Sequence, residues 1–243
     1  MSPRRRGKRR ALGQHYLTDP AVTAAMLRLA AVGRDDRVLE IGTGRGALTR
    51  GLSGLSRRFE AFELDEENYR ATEELGLDVA LHLGDAFAGP REFDILVSSL
   101  PYSESSNFVE WLSRHRYQRA VVLLQRDFVD KLLALPGRDG YRAISVISQL
   151  SSEVRRELDV PRGSFDPPPR VSSAVVVMRP RYLLSPDEIR LVKMLFSQRR
   201  RKLSGALKQL ELKTREIDPE QLSRRVQDLS APDFRGILDR IEE

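Results

Sequence analysis

The run Arg37-Val38-Leu39-Glu40-Ile41-Gly42-Thr43-Gly44-Arg45-Gly46-Ala47 decides the fold. Its first five residues read as a short strand, and the alternating glycines after it read as a tight turn. Ala47 to Leu55 then reads as a helix. Strand, glycine turn and helix in that order let a nucleotide approach the backbone, because a side chain at the turn would hold the ligand off. The run also satisfies the dinucleotide pattern, with Ala47 in the third small position, and a glycine turn without a ligand is a further alternative.

Outward from this run, residues 21–33 read as a helix with Val22, Met26, Leu29 and Ala30 on one face. Further strands are expected at Phe59 to Leu64, Asp78 to Leu83, Phe93 to Ser98 and Arg119 to Gln125. Strands alternating with helices indicate a parallel, doubly wound sheet. Glu153 to Val160 and Val171 to Met178 flank the turn Asp166-Pro167-Pro168-Pro169 and read as a closing antiparallel pair. From Ser185 the pattern is helical, with Pro186 in a first turn. The expected division is a basic tail at 1–11, an α/β domain at 12–182 and a small helical domain at 183–243.

Two positions extend the nucleotide reading. Glu63 follows Gly44 by 19 residues at the end of the second strand, where a carboxylate can accept from both hydroxyls of a ribose. Asp85, after the third strand, can accept from an adenine amine, with a helix-cap role as its alternative. Gly42, Glu63 and Asp85 on three consecutive strand ends favour S-adenosylmethionine over NAD as the cofactor.

The 243 residues include no cysteine, which excludes disulfides, cysteine-ligated zinc and thiol nucleophiles. No metal site is expected, and a reducing cytoplasmic setting is. No apolar run is long enough to span a membrane, and the basic start lacks the apolar core of a secretory signal. The net charge is +6, yet residues 1–10 hold six bases, Arg4, Arg5, Arg6, Lys8, Arg9 and Arg10, and no acid. A second cluster is Arg199-Arg200-Arg201-Lys202. Either could be a solvated face, but two such clusters point to a polyanion partner with salt-sensitive binding.

The fourth strand runs into Ser98-Ser99-Leu100-Pro101-Tyr102. This resembles the Asn/Asp-Leu/Pro-Pro-Tyr/Phe signature of methyltransferases that act on exocyclic amines of DNA and RNA. An adenine amine is a poor nucleophile because its lone pair is delocalised into the ring. A side-chain acceptor and the Pro101 carbonyl can bind its two hydrogens and free that pair, while Tyr102 stacks on the extruded base. The amine proton becomes acidic once the nitrogen is alkylated, so no strong base is required and positioning supplies most of the rate.

Four further stretches narrow the resemblance. Leu12-Gly13-Gln14-His15-Tyr16-Leu17 is similar to the Gly-Gln-(Asn/His)-Phe-Leu motif of small-subunit rRNA adenine N6,N6-dimethyltransferases. Val38 to Gly44, Val160 to Val175 and Leu195 to Leu203 resemble the same family, the last as its C-terminal helix. The resemblance implies a Rossmann-like class I methyltransferase sheet, mostly parallel with a closing antiparallel strand. It implies that His15 and Leu17 line the cofactor pocket beside Gln14, and that Tyr102 and Phe165 sandwich the target adenine. Ser99, at the head of the motif, would face both base and cofactor. It also implies two adjacent adenines in a hairpin loop near the 3′ end of small-subunit rRNA as the target, and a role in subunit assembly. RNA would lie on Arg4, Arg5, Arg6, Arg199, Arg200, Arg201 and Lys202. The partner expected is the immature small subunit, with no membrane and a monomeric chain.

The chain departs from the family at Ser99, where the motif has Asn. A hydroxyl accepts on a shorter arm, and Ser98 or a water is expected to compensate in part. Glu104 is an added carboxylate after the motif, and the stretch beyond residue 207 is short for the family, implying a trimmed helical domain. Three alternatives follow: an assembly factor with the same RNA surface but weak methylation, a large-subunit rRNA methyltransferase of the antibiotic-resistance type, and an NAD dehydrogenase.

Overall fold

The computed structural model describes residues 15–89 and 91–241. Its strands are β1 (Tyr16–Leu17), β2 (Arg37–Ile41), β3 (Arg58–Glu63), β4 (Ala80–Leu83), β5 (Ile95–Ser99), β6 (Arg119–Gln125), β7 (Ser152–Val160), β8 (Phe165–Asp166) and β9 (Ser173–Pro180). Among the described residues, seven of these form one sheet in the order β4-β3-β2-β5-β6-β9-β7. β2 to β6 run parallel and β9 returns antiparallel to β6. The central strands β5 and β6 are buried on both faces, as helix-covered strands are, while β3 and β4 toward the edge expose Arg58, Glu60 and His82. Leu96, Val97, Val121, Val122 and Leu123 are all inaccessible.

The chain winds outward through β2, β3 and β4, then returns to place β5 on the other side of β2. Such a reversal opens a crevice at the carboxyl edge between the two central strands, which is where ligands bind in open α/β sheets. The glycine turn leaves β2 there and the Ser99-Leu100-Pro101-Tyr102 turn leaves β5.

The helices are α1 (Pro20–Ala30), α2 (Ala47–Leu52), α3 (Glu66–Glu73), α4 (Ser105–Leu112), α5 (Arg126–Leu133), α6 (Ala143–Ser151), α7 (Pro186–Ser197), α8 (Leu203–Gln209), α9 (Pro219–Ser223) and α10 (Ala231–Leu238). α1 starts because Asp19 caps the amides of Ala21 and Val22 and Pro20 fills the first turn. It buries Val22, Met26 and Ala30 in one cluster with Val38, Leu48, Leu52, Ala61, Ile95 and Val97. α7 and α10 each carry a capping box, Ser185 with Glu188 and Ser230 with Asp233.

The described residues divide into two compact units, the first within 15–108, 115–129 and 155–180, the second within 109–114, 130–154 and 181–241. Residues 109–114 and 130–154 thus group with the C-terminal stretch, not with the 12–182 stretch in which the sequence placed them. The reason is aromatic packing. Tyr141 donates its buried hydroxyl to the Leu229 carbonyl at 2.9 Å and packs edge-on against Phe196, which stacks on Phe234. No described helix is long and apolar enough to cross a membrane.

Candidate functional site

Gly42 adopts φ +77°, and a Cβ there would meet nothing within 4 Å, so the turn after β2 looks onto open space. The Gly42 amide donates to the Phe62 carbonyl at 2.8 Å, which ties the turn to β3. Gly44, at φ +55°, lies so close to Tyr16 that an added Cβ would stand 3.2 Å from its ring. Glu63, 6% exposed, accepts on Oε2 from the Gly44 amide (2.8 Å) and the Thr43 hydroxyl (3.4 Å), and on Oε1 from the Asp65 amide (2.9 Å). A carboxylate offers about four acceptor positions. The long Thr43 contact is replaceable, because that hydroxyl also meets Thr72 at 3.0 Å. Burial pushes the Glu63 carboxyl above its ordinary range, against the pull of the backbone amides.

At the end of β5, Ser98 is fully buried and donates to the Ile41 carbonyl at 2.5 Å. Successive strand residues face opposite sides. Ser99 therefore lines the cleft and Ser98 does not, so the expected compensation by Ser98 is not available. Tyr102 pairs its hydroxyl with Ser173 Oγ at 2.6 Å, and its ring centroid lies 5.7 Å from that of His15. Burial raises the Tyr102 phenol.

β1 pairs antiparallel with β8, matching Leu17 to Phe165 and Tyr16 to Asp166. The Thr18 amide donates to the Ser164 carbonyl at 2.9 Å, and His15 Nδ1 lies 2.7 Å from the Pro167 carbonyl. These bonds bring His15 and Phe165 to the cleft. Its walls hold His15, Tyr16, Gly42, Gly44, Glu63, Asn68, Ser99, Leu100, Pro101, Tyr102 and Phe165. The glycine turn, Glu63 and the rings of Tyr102 and Phe165 thus share one opening.

The ribosomal RNA adenine dimethylase family profile matches residues 5–234. The chain belongs to this family. A ribosomal RNA small subunit methyltransferase A from Phenylobacterium zucineum is 36% identical over 83% of this chain and 76% of its own length. A probable ribosomal RNA small subunit methyltransferase A from Methanothermobacter thermautotrophicus is 35% identical over 97% of this chain and 91% of its own. Among solved structures, a dimethyladenosine transferase from Plasmodium falciparum superposes with a TM-score of 0.78 at 25% identity, covering 90% of this chain and 94% of that one.

Membership makes the chain an S-adenosylmethionine-dependent methyltransferase, and the residues present fit that cofactor. The open space over Gly42 accommodates a ligand against backbone, and Glu63 holds carboxylate acceptors at its side. Other expected residues fall elsewhere. Leu17 is buried in the core cluster and does not line the cleft, because β1 turns it inward. Asp85 stands exposed at the end of β4, accepts from the Phe87 amide at 2.8 Å, and lies outside the cleft wall. Glu104 accepts from Asn107 Nδ2 at 3.0 Å, which accounts for the extra carboxylate as a helix-start contact.

The 199–202 cluster sits in a turn and not on the expected helix. α7 ends at Ser197, and Gln198, at φ −101° and ψ 23°, leaves the helical path. The segment then bonds to residues 224–227: Gln227 N to Arg199 O at 3.0 Å, Val226 N to Arg201 O at 3.0 Å, and a bridge between Lys202 and Arg225. Arg4, Arg5, Arg6 and Gln14 lie outside the described residues.

Proposed function

We propose that this chain methylates the N6 amines of two adjacent adenines in the 3′-terminal hairpin loop of small-subunit rRNA, acting as a monomer on immature subunits in the cytoplasm. One observation carries the reading: Tyr102 and Phe165 line the same cleft as Glu63 and the glycine turn, together with Ser99 and Pro101. The two rings take the faces of the extruded adenine, each stack contributing about 1–3 kcal/mol. The Pro101 carbonyl and Ser99 hydroxyl accept the amine hydrogens and hold the nitrogen's lone pair toward the cofactor side. Bound S-adenosylmethionine supplies an electrophilic sulfonium methyl. His15 and the β1–β8 pair close the cleft wall and keep Phe165 in place. The 183–243 stretch, with Arg199, Arg200, Arg201 and Lys202, supplies cations for the RNA backbone.

Incubation with methyl-labelled cofactor and immature small subunits tests this. Label recovered as N6-dimethyladenine supports it. Absence of label in adenine would leave the second reading, an assembly factor, which Ser99 specifically favours.

Ser99→Asn is expected to raise single-turnover methylation by about 5- to 150-fold, since a restored hydrogen bond is worth roughly 1–3 kcal/mol in this setting. Unchanged or slower turnover counts against the roles given to this turn. Removing residues 1–10 is expected to weaken RNA binding and to flatten the log–log salt slope by up to about 4, at about 0.7 per phosphate contact on single strands. An unaltered slope makes the tail a solvated appendage.

A further inference from the structure

The cleft holds a hydrogen-bond donor that lacks an acceptor. Asn68 lies in the first turn of α3, where the Asp65 carboxylate caps its amide at 3.1 Å. Its side chain lines the cleft with the residue only 6% exposed. Oδ1 accepts the Tyr16 hydroxyl at 3.0 Å, which fixes the amide's orientation and leaves Nδ2 on the other arm. Among the described residues Nδ2 has no hydrogen-bond partner. Such a donor, facing the open cleft, is available to an acceptor on a ligand.

The wall around it is continuous. Tyr16 packs against Gly44 under the Arg45 guanidinium, 4.4 Å above the ring centroid, and the Gly44 amide donates to Glu63. Arg45 is itself held by Asp166 at 2.9 Å. A ribose hydroxyl carries one proton and two lone pairs. Glu63 can only accept, so a hydroxyl bound to it still needs a donor for its oxygen. Asn68 Nδ2 is the unpartnered donor on the same wall.

We infer that Asn68 is a cofactor-binding residue whose Nδ2 donates to a ribose hydroxyl oxygen of S-adenosylmethionine, and that Tyr16 is the positioning residue that turns the amide that way. The pair Glu63 and Asn68 then reads each end of a hydroxyl, as donor and as acceptor, and selects ribose over deoxyribose. This rests on the cofactor assignment above.

Calorimetric titration of the full chain tests it with S-adenosylhomocysteine, its 2′-deoxy and 3′-deoxy counterparts, and methylthioadenosine, which lacks the amino-acid end. Asn68→Ala is expected to weaken S-adenosylhomocysteine and methylthioadenosine alike, by about 2- to 10-fold. That loss should vanish with one of the two deoxy ligands. Asn68→Asp keeps the size and the acceptor for Tyr16 while removing the donor, and is expected to lose at least as much. Tyr16→Phe should show the same ligand pattern at smaller size. Equal losses on every ligand, loss confined to ligands with the amino-acid end, or full affinity in Asn68→Asp each overturn the inference. If the unsubstituted chain binds none of these ligands, the cofactor assignment fails and this inference with it, an outcome distinct from the other three.

Discussion

Glu63→Ala is expected to weaken S-adenosylhomocysteine binding by roughly 150-fold to 2 × 10⁴-fold. Two ribose hydroxyls donating to a charged acceptor contribute about 1.5–3 kcal/mol each. At about 1.36 kcal/mol per decade, their joint loss gives that range. The substitution also removes the acceptor for the Gly44 amide at 2.8 Å and for the Asp65 amide at 2.9 Å, so the turn loses its anchor. Glu63→Gln keeps the size and separates charge from shape; it should lie between the parent and Ala. A loss below tenfold in Glu63→Ala would place the ribose elsewhere. The pH dependence has a definite sign. Burial raises the folded carboxyl, and bound hydroxyls favour its charged form, so affinity falls as pH drops through a window above the ordinary carboxylate range. Glu63→Gln should lack that fall.

The second large effect lies under the glycine turn and concerns stability. Glu40 is wholly buried on β2, and neither carboxylate oxygen reaches a hydrogen-bond partner. The Thr49 hydroxyl beside it is equally unpartnered, and the charge of Glu63 is near. Burial, more than any neighbour, pushes the Glu40 carboxyl up from 4.5 to about 8. Below the unfolded value both states are protonated and the site costs nothing. Between the two values the unfolded chain ionises and the folded chain does not, so stability falls as pH rises, by about 1.36 kcal/mol per unit. The full cost, on the order of 5 kcal/mol, is reached near the folded value and stays constant above it. Urea unfolding from pH 5 to 8 should show this decline, and Glu40→Gln should reduce it to the part contributed by Glu63, whose carboxyl burial also raises, and gain stability at the alkaline end. The paired Asp94 and Asp233, whose carboxyls are lowered, act with the opposite sign and only in acid, so they do not mask it. Parallel profiles for the two proteins would show that Glu40 is solvated in the folded state.

Most of the sheet was legible because parallel strands are short apolar runs ended by glycine or acid. β2 and β6 fall on the residues expected, and β9 and β7, the two strands flanking the Pro-rich turn, lie side by side at the edge of the sheet, β9 antiparallel to β6. The helices between β5 and β7 were not read. α6 buries three serines together with Val146, Ile147 and Leu150, so it shows no polar stripe to betray its period. The cleft residues announced by glycine, acid or Pro-Tyr motifs could be named. Asn68 could not, because its role depends on a tyrosine 52 residues away. Ser98 and Ser99 look alike in sequence, and only strand alternation separates a sheet-facing hydroxyl from a cleft-facing one.

The pairing of β1 with β8 has a temporal consequence. Tyr16 and Leu17 are joined to partners about 150 positions later, so the part of the cleft wall formed by His15, Tyr16 and Phe165 does not exist until residue 166 has been made. A chain growing from its N-terminus can complete β2 to β6 and still lack a place for an adenine. Competence would arrive late and all at once, so an incomplete chain could not capture substrate.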